Sequence, residues 1–387
     1  MTGHTPWPDA RAAAYRAADP LETVTVALDD ALAATLGEPL RALVPLPPFD
    51  TAAMDGYAVA GSSPWTVVGR VLAGESRVPA LRTGEALEIA TGAPVPAGSE
   101  AVLPYEDGRR EGSRLTGELG PRPHIRRAGE ECPAGVELLP AGRVVTPAVL
   151  GLAASTGHDV LRVRRVPRVA PVVTGNELLH SGTPGRGRVR DAVGPLLPGL
   201  VRWAGGTAAQ LVCLPDDPHA LAGTVKGEDE ADVVVVCGAS SAGPADHLRG
   251  VLDTLGARTL VDGVACRPGH PQTLGRLPDG RFVVGLPGNP FAALAAALTL
   301  LVPLLAALCG RSPTPAELAR LVERVSPHPR DTRLVPVSCR GGSAFPVGHD
   351  SPAVLWGAAG ADALAVVPPG GWDARRGNEV EVLPLPR

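Results

Sequence analysis

Three acidic residues in the region 170–250 lie shortly after runs of apolar residues, where buried strands would end. They are Glu177, Asp216 and Asp246. Carboxylate oxygens are ligands that Mg²⁺ prefers, and Mg²⁺ is usually bound by one or two carboxylates together with the phosphates of a substrate. A fold that brings these three side chains to one edge could therefore bind Mg²⁺ and phosphate.

Two glycine-rich turns accompany these acids. Residues 238–243 precede Asp246, and residues 287–290 follow a fourth apolar run. Glycine lets a phosphate approach the backbone, and the N–H groups at the start of a helix favour an anion. We therefore expect phosphate-binding residues in these turns. The residues concerned are Gly238, Ser240, Ser241, Pro287, Gly288, Asn289 and Pro290.

A purely structural interpretation accounts for each turn taken alone. Asp216-Asp217-Pro218 could simply begin a helix, because Asp is favoured at the N-cap and Pro at the first helical position. Glycine between a strand and a helix often serves backbone geometry only. Four such turns at one edge of a sheet favour a binding site over this interpretation.

The turns are expected at one edge because the elements around them alternate between strand and helix. Residues 167–312 contain four short apolar runs, each followed by a turn and a helical pattern. This alternation is typical of a doubly wound α/β domain with a parallel sheet, which binds ligands beyond the carboxyl ends of its strands. The four predicted strands are Val169–Val173, Ala209–Leu214, Val233–Cys237 and Phe282–Leu286.

A helical N-terminal domain is predicted from residues 1–45 together with residues 140–166. Three patterns support it: an alanine-rich run, leucines at every fourth residue, and a helix-start pattern before residue 148. The segments concerned are Ala10–Ala17, the set Leu28, Leu32 and Leu36, and residues 145–158.

Two β-rich domains complete the expected architecture. Residues 46–139 form an inserted lid domain, and residues 313–387 form a small C-terminal β domain, because short apolar runs alternate there with Gly, Pro and charged turns. The strand-like runs are Trp65–Leu72, Ala86–Ile89, Ala101–Leu103, Leu334–Ser338, Leu364–Val367 and Glu379–Leu383. The fold class expected is thus α/β and multidomain.

One apolar segment, Phe291–Cys309, is about as long as a membrane span. Pro303 interrupts it, and Asn289-Pro290 before it fits a helix cap with Pro at the first helical position. A buried helix beside the sheet is therefore favoured over a membrane-spanning helix.

Charge and cysteine usage exclude several classes of protein. The formal net charge of −4 gives no strong attraction to nucleic acid or to anionic membranes. Lys226 is the only lysine in the sequence. Six cysteines are widely spread without a C-x-x-C pair, which favours reduced, buried thiols over disulfides or a zinc site. Residues 1–11 lack the pattern of a secretion signal, so a cytoplasmic protein is expected.

Six short segments are more specific than these patterns. In chain order they are residues 47–58 (PPFDTAAMDGYA), 91–96 (TGAPVP), 125–130 (IRRAGE), 174–178 (TGNEL), 216–218 (DDP) and 286–290 (LPGNP). They closely resemble, in the same order, motifs of the MoeA family of molybdopterin molybdenumtransferases. The AMDGYA run is the most specific of them, and the resemblance covers most of the chain.

The resemblance implies an elongated homodimer of four-domain subunits. The active site would lie between the α/β domain of one subunit and the β-rich domain of the other. The implied reaction takes adenylylated molybdopterin and molybdate and gives molybdenum cofactor and AMP, with Mg²⁺ required. The pterin adenylyltransferase and molybdoenzymes are the implied protein partners.

The resemblance also implies roles for particular residues. Asp55 and Thr91 would line the cleft, while the three acids named above would bind Mg²⁺ or orient the pterin phosphates. The loop of residues 287–290 would shape the pterin pocket. Arg267 and His270 stand at two lysine positions of the family, and Ser351 lies in a turn that loosely resembles a family motif.

Several family positions are changed in this sequence. Gly263 stands where the family has a first lysine, and His270 is charged only at lower pH than lysine. Ala239 replaces a glycine, which predicts a restricted backbone approach to phosphate. Asn176 replaces an aspartate beside Glu177.

Two alternatives to an active transferase follow from these changes. A diverged family member could bind pterin, molybdate or a partner enzyme without turnover, which the missing lysine favours and the retained acids disfavour. Pterin adenylylation, performed by relatives of the α/β domain alone, is disfavoured by the AMDGYA domain. The choice between molybdate and tungstate is left open.

Overall fold

In a computed structural model, the chain divides into two compact units. The structure describes residues 4–239, 247–313, 316–370 and 377–386. The larger unit contains Met1–Val24, Ala33–Gly37 and Val163–Arg387, and the smaller contains Thr25–Leu32 and Glu38–Arg162. The division into four domains stays a prediction.

The smaller unit is built on a six-stranded sheet, as the alternation of apolar runs and turns predicts. Its strands, in spatial order, are Ala101–Pro104, Gly56–Val59, Glu85–Ile89, Trp65–Val71, Arg114–Gly117 and Gly108–Glu111. Two short pairs join Thr51–Ala52 to Ile125–Arg126 and Leu40–Arg41 to Glu137–Leu139. The predicted helix near residue 148 is confirmed as Pro147–Ser155, with the Thr146 side chain accepting a hydrogen bond from the Val149 N–H.

The predicted helix through Leu28, Leu32 and Leu36 is wrong. The chain forms a strand at Thr23–Ala27, followed by a single 3₁₀ turn at Leu28–Asp30. Alternating Thr and Val favour the strand, and Ala33 has a φ of 64°, which interrupts any helix. Leu32 is exposed while Leu36 is buried, so the three leucines share no helical face.

The larger unit contains the predicted α/β sheet. Its six strands, in spatial order, are Thr207–Ala208, Arg168–Thr174, Val233–Cys237, Phe282–Leu286, Thr273–Arg276 and Arg258–Asp262. The predicted strand Ala209–Leu214 is displaced: only Val212–Leu214 is strand, and it also pairs with Arg168–Thr174. The expectation of a parallel sheet needs one correction, because Thr273–Arg276 runs antiparallel to both neighbours.

Helices flank both faces of this sheet, as expected for a doubly wound fold. Two hydrophobic clusters contain alternate residues of the same strands, for example Val233 and Val235 in one cluster and Val234 and Val236 in the other. This alternation means that both faces are buried. The helices are Val193–Trp203, Pro218–Gly227, Leu248–Thr254 and Pro290–Leu308.

The last of these, here called the core helix, is the apolar segment that the sequence left open to a membrane interpretation. It is 19 residues long, and an 18-residue stretch of it has a mean hydropathy of 2.4, but 89% of that stretch is buried inside the protein. Its middle turn, Ala297–Leu301, is a π-helix next to Pro303, which has no N–H group to continue an α-helical ladder. The prediction of a buried helix beside the sheet is confirmed.

A closed five-stranded sheet forms the C-terminal part of the larger unit. Its strands are Glu317–Leu321, Thr332–Arg340, Ser343–Pro346, Ala363–Val367 and Glu379–Pro384, and a single helical turn lies at Trp356–Ala359. Thr332–Arg340 pairs with both Ser343–Pro346 and Ala363–Val367, which closes the sheet. The three C-terminal strands predicted from the sequence are confirmed.

Two further strands extend the C-terminal sheet from other parts of the chain. Val264–Arg267 pairs in parallel with Thr332–Arg340, and Thr5–Pro6 pairs in parallel with Val264–Arg267. The predicted N-terminal helix follows directly as Trp7–Arg16. It packs on the core helix, so it contributes to the core of the larger unit.

The contact between these two helices includes a buried polar pair. The Trp7 indole N–H donates to the Thr299 hydroxyl at 3.0 Å, and that hydroxyl donates to the Ala295 carbonyl at 2.7 Å. Trp7 is 2% exposed and Thr299 is fully buried. A buried donor without an acceptor costs more free energy than a satisfied hydrogen bond contributes.

We predict that Thr299→Val, which conserves shape, lowers the free energy of unfolding by about 1–3 kcal/mol, because the indole N–H loses its acceptor. Urea denaturation measures the change. Thr254→Val is the matched control, since the exposed Thr254 hydroxyl only donates to the Gly250 carbonyl of its own helix. It should change stability by less than about 0.5 kcal/mol. Equal losses in the two variants would contradict the account.

Candidate functional site

The carboxyl ends of three neighbouring strands approach each other closely at the predicted edge. Gly238, directly after Val233–Cys237, has a φ of +100°, and a side-chain carbon there would lie 2.3 Å from the Thr174 carbonyl oxygen. The Gly238 N–H donates to the Leu286 carbonyl at 3.3 Å. A Cβ on Gly288 would contact the Gly238 Cα at 3.5 Å. Gly238 is therefore required by the backbone itself.

Ala239 does not obstruct this edge in the way the sequence suggested. It is 2% exposed and belongs to the hydrophobic cluster that includes Leu248 and Val251. Its methyl group thus lies in the core instead of projecting over the turn. The predicted ligands Ser240, Ser241 and Asp246 follow it, but they lie outside the described residues.

The turns that follow strands Arg168–Thr174 and Val212–Leu214 are joined by reciprocal hydrogen bonds. The Asn176 N–H donates to the Asp216 carboxylate at 3.1 Å, and the Asp216 N–H donates to the Asn176 side-chain oxygen at 3.3 Å. Glu177 is exposed beside them. The structure therefore brings Glu177 and Asp216 to one edge, as predicted, and Asn176 joins them without adding a third negative charge.

The residues at this edge offer oxygen donors of the kind that Mg²⁺ prefers. Glu177 and Asp216 supply two of the three predicted carboxylates, and the third, Asp246, is outside the described residues. Within the part of the chain that the structure describes, no cluster of three metal-ligating side chains is present. The donor chemistry fits Mg²⁺, while a complete ligand set stays a prediction.

The structural interpretation of Asp217 is confirmed. Its carboxylate accepts a hydrogen bond from the His219 N–H at 2.9 Å, and Pro218 is the first residue of the helix. Asp217 is thus a helix cap, whereas its neighbour Asp216 is engaged with Asn176. Adjacent identical residues in the DDP segment have different roles.

A cleft of about 1110 Å³ lies within the larger unit, between the α/β sheet and the C-terminal sheet. One wall carries the loop after Phe282–Leu286 and the segment after Val264–Arg267, and the opposite wall carries residues 330–333 and 350–352. The α/β wall includes Arg267, Gly269, His270, Pro287 and Asn289, and the C-terminal wall includes Arg330, Asp331, Arg333, Asp350 and Pro352.

The two walls meet at the beginning of the core helix. The Pro352 carbonyl accepts hydrogen bonds from the Phe291 N–H at 2.9 Å and from the Ala292 N–H at 3.2 Å. These are two of the donors that a helix start leaves without a partner in the helix. The expectation of free N–H groups for a phosphate at this helix is therefore wrong, because the chain satisfies them itself. The predicted residue Ser351 lies exposed in the same turn.

Arginines give the cleft its positive charge, and two of them form ion pairs, one across the cleft and one within the C-terminal wall. The Arg267 guanidinium contacts the Asp331 carboxylate at 2.8 Å, and Arg333 forms an ion pair with Asp350. Arg330 is exposed and forms no ion pair with a described residue. The Arg267 side chain remains 61% exposed, so it stays accessible to an anion.

A second concavity, of about 710 Å³, lies at the opposite, amino ends of the strands. Four of its charged groups are paired with one another: Arg165 forms a bidentate pair with Asp232, and Arg168 pairs with Glu230. The Asp232 carboxylate also accepts from the Arg168 N–H at 2.7 Å. This network stabilises the strand ends, so we assign the functional site to the larger cleft.

Asp55 and Thr91 lie together in the smaller unit. One Asp55 carboxylate oxygen accepts from the Thr91 N–H at 2.7 Å and from the Thr91 hydroxyl at 2.9 Å. The backbone hydrogen bond, followed by the hydroxyl, lowers the pKa of Asp55 below its usual value. Both side chains are exposed, so a negatively charged, oriented carboxylate is available to a ligand.

Close packing against the neighbouring strand explains why residue 56, in the AMDGYA run, is glycine. A side-chain carbon on Gly56 would lie 2.1 Å from the carbonyl oxygen of Leu103 on the neighbouring strand. The next residue, Tyr57, packs edge-to-face against Tyr105 with ring centroids 5.2 Å apart. The motif thus fixes the strand that begins directly after Asp55.

All six cysteines are free, as expected from their spacing. Four are buried, Cys213 is exposed and Cys339 is intermediate. Burial raises the pKa of Cys266, beside the cleft, to about 12. Its thiol is therefore inert as a nucleophile at neutral pH.

Several cleft residues were not predicted from the sequence. They are His4, Arg330, Asp331, Arg333 and Asp350. They reach the cleft because Val264–Arg267 leaves the α/β sheet and pairs with the C-terminal sheet. The charged residues just before the strand-like run 334–338 were the only sequence signal for this wall of the cleft. The strand that pairs with this run, Val264–Arg267, could not be identified from the local sequence.

The close approach at Gly238 gives a testable expectation. Gly238→Ala should lower the free energy of unfolding by at least about 2 kcal/mol more than Gly280→Ala, because of overpacking against Thr174. Gly280 is a matched control with a φ of +97°, where a Cβ would meet only the flexible Arg276 guanidinium, at 3.9 Å. Its substitution should cost only the backbone strain, about 1–2 kcal/mol. Thermal or urea denaturation of both variants tests this, and equal losses would refute the steric explanation.

Comparison with known proteins is consistent from one end of the chain to the other. The sequence matches the MoeA N-terminal region (domain I and II) over residues 5–157, a probable molybdopterin binding domain over residues 170–307 and the MoeA C-terminal region (domain IV) over residues 319–385. Together these matches cover well over half of the chain.

Individual relatives agree with these matches. The chain is 36% identical to molybdopterin molybdenumtransferase 2 of Mycobacterium tuberculosis over 290 residues, covering 70% of this chain and 71% of the relative. It is 34% identical to the molybdopterin molybdenumtransferase of Synechococcus elongatus over 311 residues, covering 75% and 77%. A solved structure of a molybdopterin biosynthesis MoeA protein from Pyrococcus horikoshii is 29% identical, with a TM-score of 0.83 and 99% of both chains covered. The chain therefore belongs to the MoeA family of molybdopterin molybdenumtransferases.

Proposed function

We propose that this chain is an enzyme of molybdenum cofactor biosynthesis that inserts molybdate-derived molybdenum into adenylylated molybdopterin and releases AMP. Family membership supports the reaction class, since the curated relatives are named molybdopterin molybdenumtransferases. The observation that carries the proposal is the cleft of about 1110 Å³, large enough for a pterin nucleotide, with arginines on both walls.

Different residues of the cleft would bind different parts of the substrate. Arg267 is positioned to bind the phosphate oxygens or molybdate, because a guanidinium recognises oxyanions with several N–H donors. Pro287, Gly288, Asn289 and Pro290 would shape the pterin pocket, with Gly288 and Asn289 exposed toward a ligand. Cationic groups in such a cleft stabilise the negative charge that develops as AMP leaves.

Mg²⁺ is the cofactor proposed for the carboxylate edge. Glu177 and Asp216, with Asp246, would hold it through oxygen ligands. When bound, Mg²⁺ would polarise a phosphoryl oxygen of the phosphoanhydride. The Asn176–Asp216 hydrogen bonds would keep the Asp216 carboxylate oriented for this role.

The proposed enzyme is a cytoplasmic homodimer with two kinds of protein partner. The chain would act as a homodimer, in which each subunit contributes its Asp55 and Thr91 to the cleft of the other. The pterin adenylyltransferase would supply the substrate, and molybdoenzymes would receive the product. A cytoplasmic enzyme without nucleic acid or membrane partners fits the net charge of −4 and the burial of the core helix.

A non-catalytic pterin-binding protein is the second candidate. Two observations favour it: Gly263 supplies no cation, and Arg267 is already engaged by Asp331. The orientation of Asp55 by Thr91 and of Asp216 by Asn176 favours catalysis instead, since both arrangements hold carboxylates ready for a ligand.

The experiment that separates the two is AMP release from adenylylated molybdopterin with Mg²⁺ and molybdate. We expect molybdate-dependent release by the wild-type protein and a loss of about 100-fold in Glu177→Gln, because a proposed Mg²⁺ ligand is replaced by a neutral amide of the same size. Asp253→Asn, on the exposed side of the helix Leu248–Thr254, is the matched control and should retain full activity.

Two results would contradict the proposal. Absence of AMP release by wild-type protein that still binds the pterin nucleotide would identify a non-catalytic binding protein. Full activity of Glu177→Gln would instead show that the carboxylate edge has no part in the reaction.

A further inference from the structure

An exposed aromatic ring lies beside the carboxylate of Asp55 in the smaller unit. In the antiparallel register Gly56 is opposite Pro104. Asp55 directly precedes Gly56 and Tyr105 directly follows Pro104, so both come to the same end of this strand pair. The Tyr105 residue is 44% exposed, and Asp55 is also exposed. A ring face and a carboxylate are therefore both open to solvent at this end of the sheet.

The Tyr105 ring is held in place by its neighbours. Its hydroxyl donates to the Glu88 Oε1 atom at 2.8 Å, and the Arg110 guanidinium donates to the other Glu88 oxygen at 3.2 Å. The Tyr57 ring, 7% exposed, packs edge-to-face against it with centroids 5.2 Å apart. A ligand that packs on a side chain with a fixed rotamer avoids most of the entropy cost of ordering it.

The Tyr105 hydroxyl keeps its proton at neutral pH, so this anchor persists. Burial first, and then the hydrogen bond to Glu88, raise the pKa of Tyr105 to about 12. The charge of Asp55 makes a smaller contribution in the same direction. That contribution also shows that the Asp55 carboxylate lies close to the ring, as the strand register indicates.

One oxygen of the Asp55 carboxylate is left for a ligand. Both hydrogen bonds from Thr91 go to Oδ1. Among the residues that the structure describes, none donates a hydrogen bond to Oδ2. By contrast, both oxygens of Glu88 are engaged by Tyr105 and Arg110. The Asp55 Oδ2 atom is therefore the acceptor that this end of the sheet offers beside the ring.

We propose that Tyr105 and Asp55 bind the pterin ring system of the substrate, which stacks on the Tyr105 ring and donates N–H groups to the Asp55 Oδ2 atom. This pair is here called the pterin platform. A planar heterocycle stacks well on a tyrosine ring. The platform makes Tyr105 a specificity-determining residue of the smaller unit. Assigning its ligand to the substrate rests on the proposed function, whereas the arrangement of ring and carboxylate rests on the observed contacts.

The carboxylate favours the pterin half of the substrate over its adenine half. A pterin carries an amino group and a ring N–H side by side, so its edge presents adjacent donors. In adenine the amino group lies between acceptor nitrogens, which a carboxylate repels. An ionised carboxylate only accepts hydrogen bonds, so it pairs best with an edge that only donates.

The test is equilibrium binding of unsubstituted pterin, followed by its own fluorescence, and separately of AMP to the full-length protein at neutral pH. We expect Tyr105→Leu to weaken pterin binding about tenfold, because the stacking surface is lost. Tyr105→Phe should weaken it only about twofold, since the ring remains but loses its anchor to Glu88. Asp55→Asn should weaken it about tenfold, because the anionic acceptor is lost. None of these variants should change AMP affinity.

The matched control is Phe345→Leu. Phe345 is 41% exposed, close to the exposure of Tyr105, and it lies on the strand Ser343–Pro346 of the C-terminal sheet. This substitution should leave the affinities for pterin and AMP unchanged. Tyr105→Phe and Asp55→Asn keep the proposal testable if Tyr105→Leu fails to fold.

Kinetics distinguish a ligand contact from a structural role of Tyr105. In AMP release from adenylylated molybdopterin, Tyr105→Leu should raise KM about tenfold and leave kcat within about twofold, because stacking on the pterin is equal in the ground state and the transition state. A fall in kcat with unchanged KM would contradict the platform.

The binding results separate this inference from the proposed function. Lack of saturable pterin binding by wild-type protein, or pterin affinity that Tyr105→Leu leaves unchanged, would overturn the platform even if AMP release is normal. A loss of AMP affinity in place of pterin affinity would overturn the assignment to pterin. Pterin affinity that requires both Tyr105 and Asp55 would support the platform even if the wild-type protein releases no AMP.

Discussion

The cleft depends on a backbone hydrogen-bonding requirement at the start of the core helix. Phe291 and Ala292 are buried, and their N–H groups have no partner within the helix. The Pro352 carbonyl of the C-terminal sheet accepts both. Because an unsatisfied buried N–H costs about 1–3 kcal/mol, this contact fixes the turn of residues 350–352 against the loop of residues 287–290. The two walls of the cleft are held at a defined separation as a result.

The strand Val264–Arg267 provides the second connection between these walls. It continues the chain of the α/β domain, yet it pairs with Thr332–Arg340 on one side and with Thr5–Pro6 on the other. This pairing brings Arg267 opposite Asp331 and places His4 beside His270. The charge of the cleft is thereby assembled from the N-terminal segment, the α/β domain and the C-terminal sheet. None of these segments forms the cleft by itself.

Local sequence patterns predicted the elements well where burial and backbone preference agree. Val233–Cys237, Phe282–Leu286 and the core helix were found because apolar runs end at Gly, Pro or Asn. The leucines of residues 28–36 led to a wrong helix prediction because their spacing fits a helix. The β-branched residues before them favour a strand, and the positive φ of Ala33 interrupts a helix. Glu177 and Asp216 were correctly brought together, since parallel strands end at one edge. The C-terminal wall could not be predicted, because it depends on a pairing between strands about 65 residues apart, as the Cys266–Thr332 register shows.

The most direct test of the central claim is hydrogen–deuterium exchange of the full-length protein with and without adenylylated molybdopterin. If the pterin nucleotide binds in the cleft between the α/β and C-terminal sheets, the amides of residues 265–271, 287–292 and 330–333 should become protected. The concavity around Arg165 and Asp232, at the amino ends of the strands, should be unchanged. Protection at that concavity, with no change in the cleft, would contradict the account.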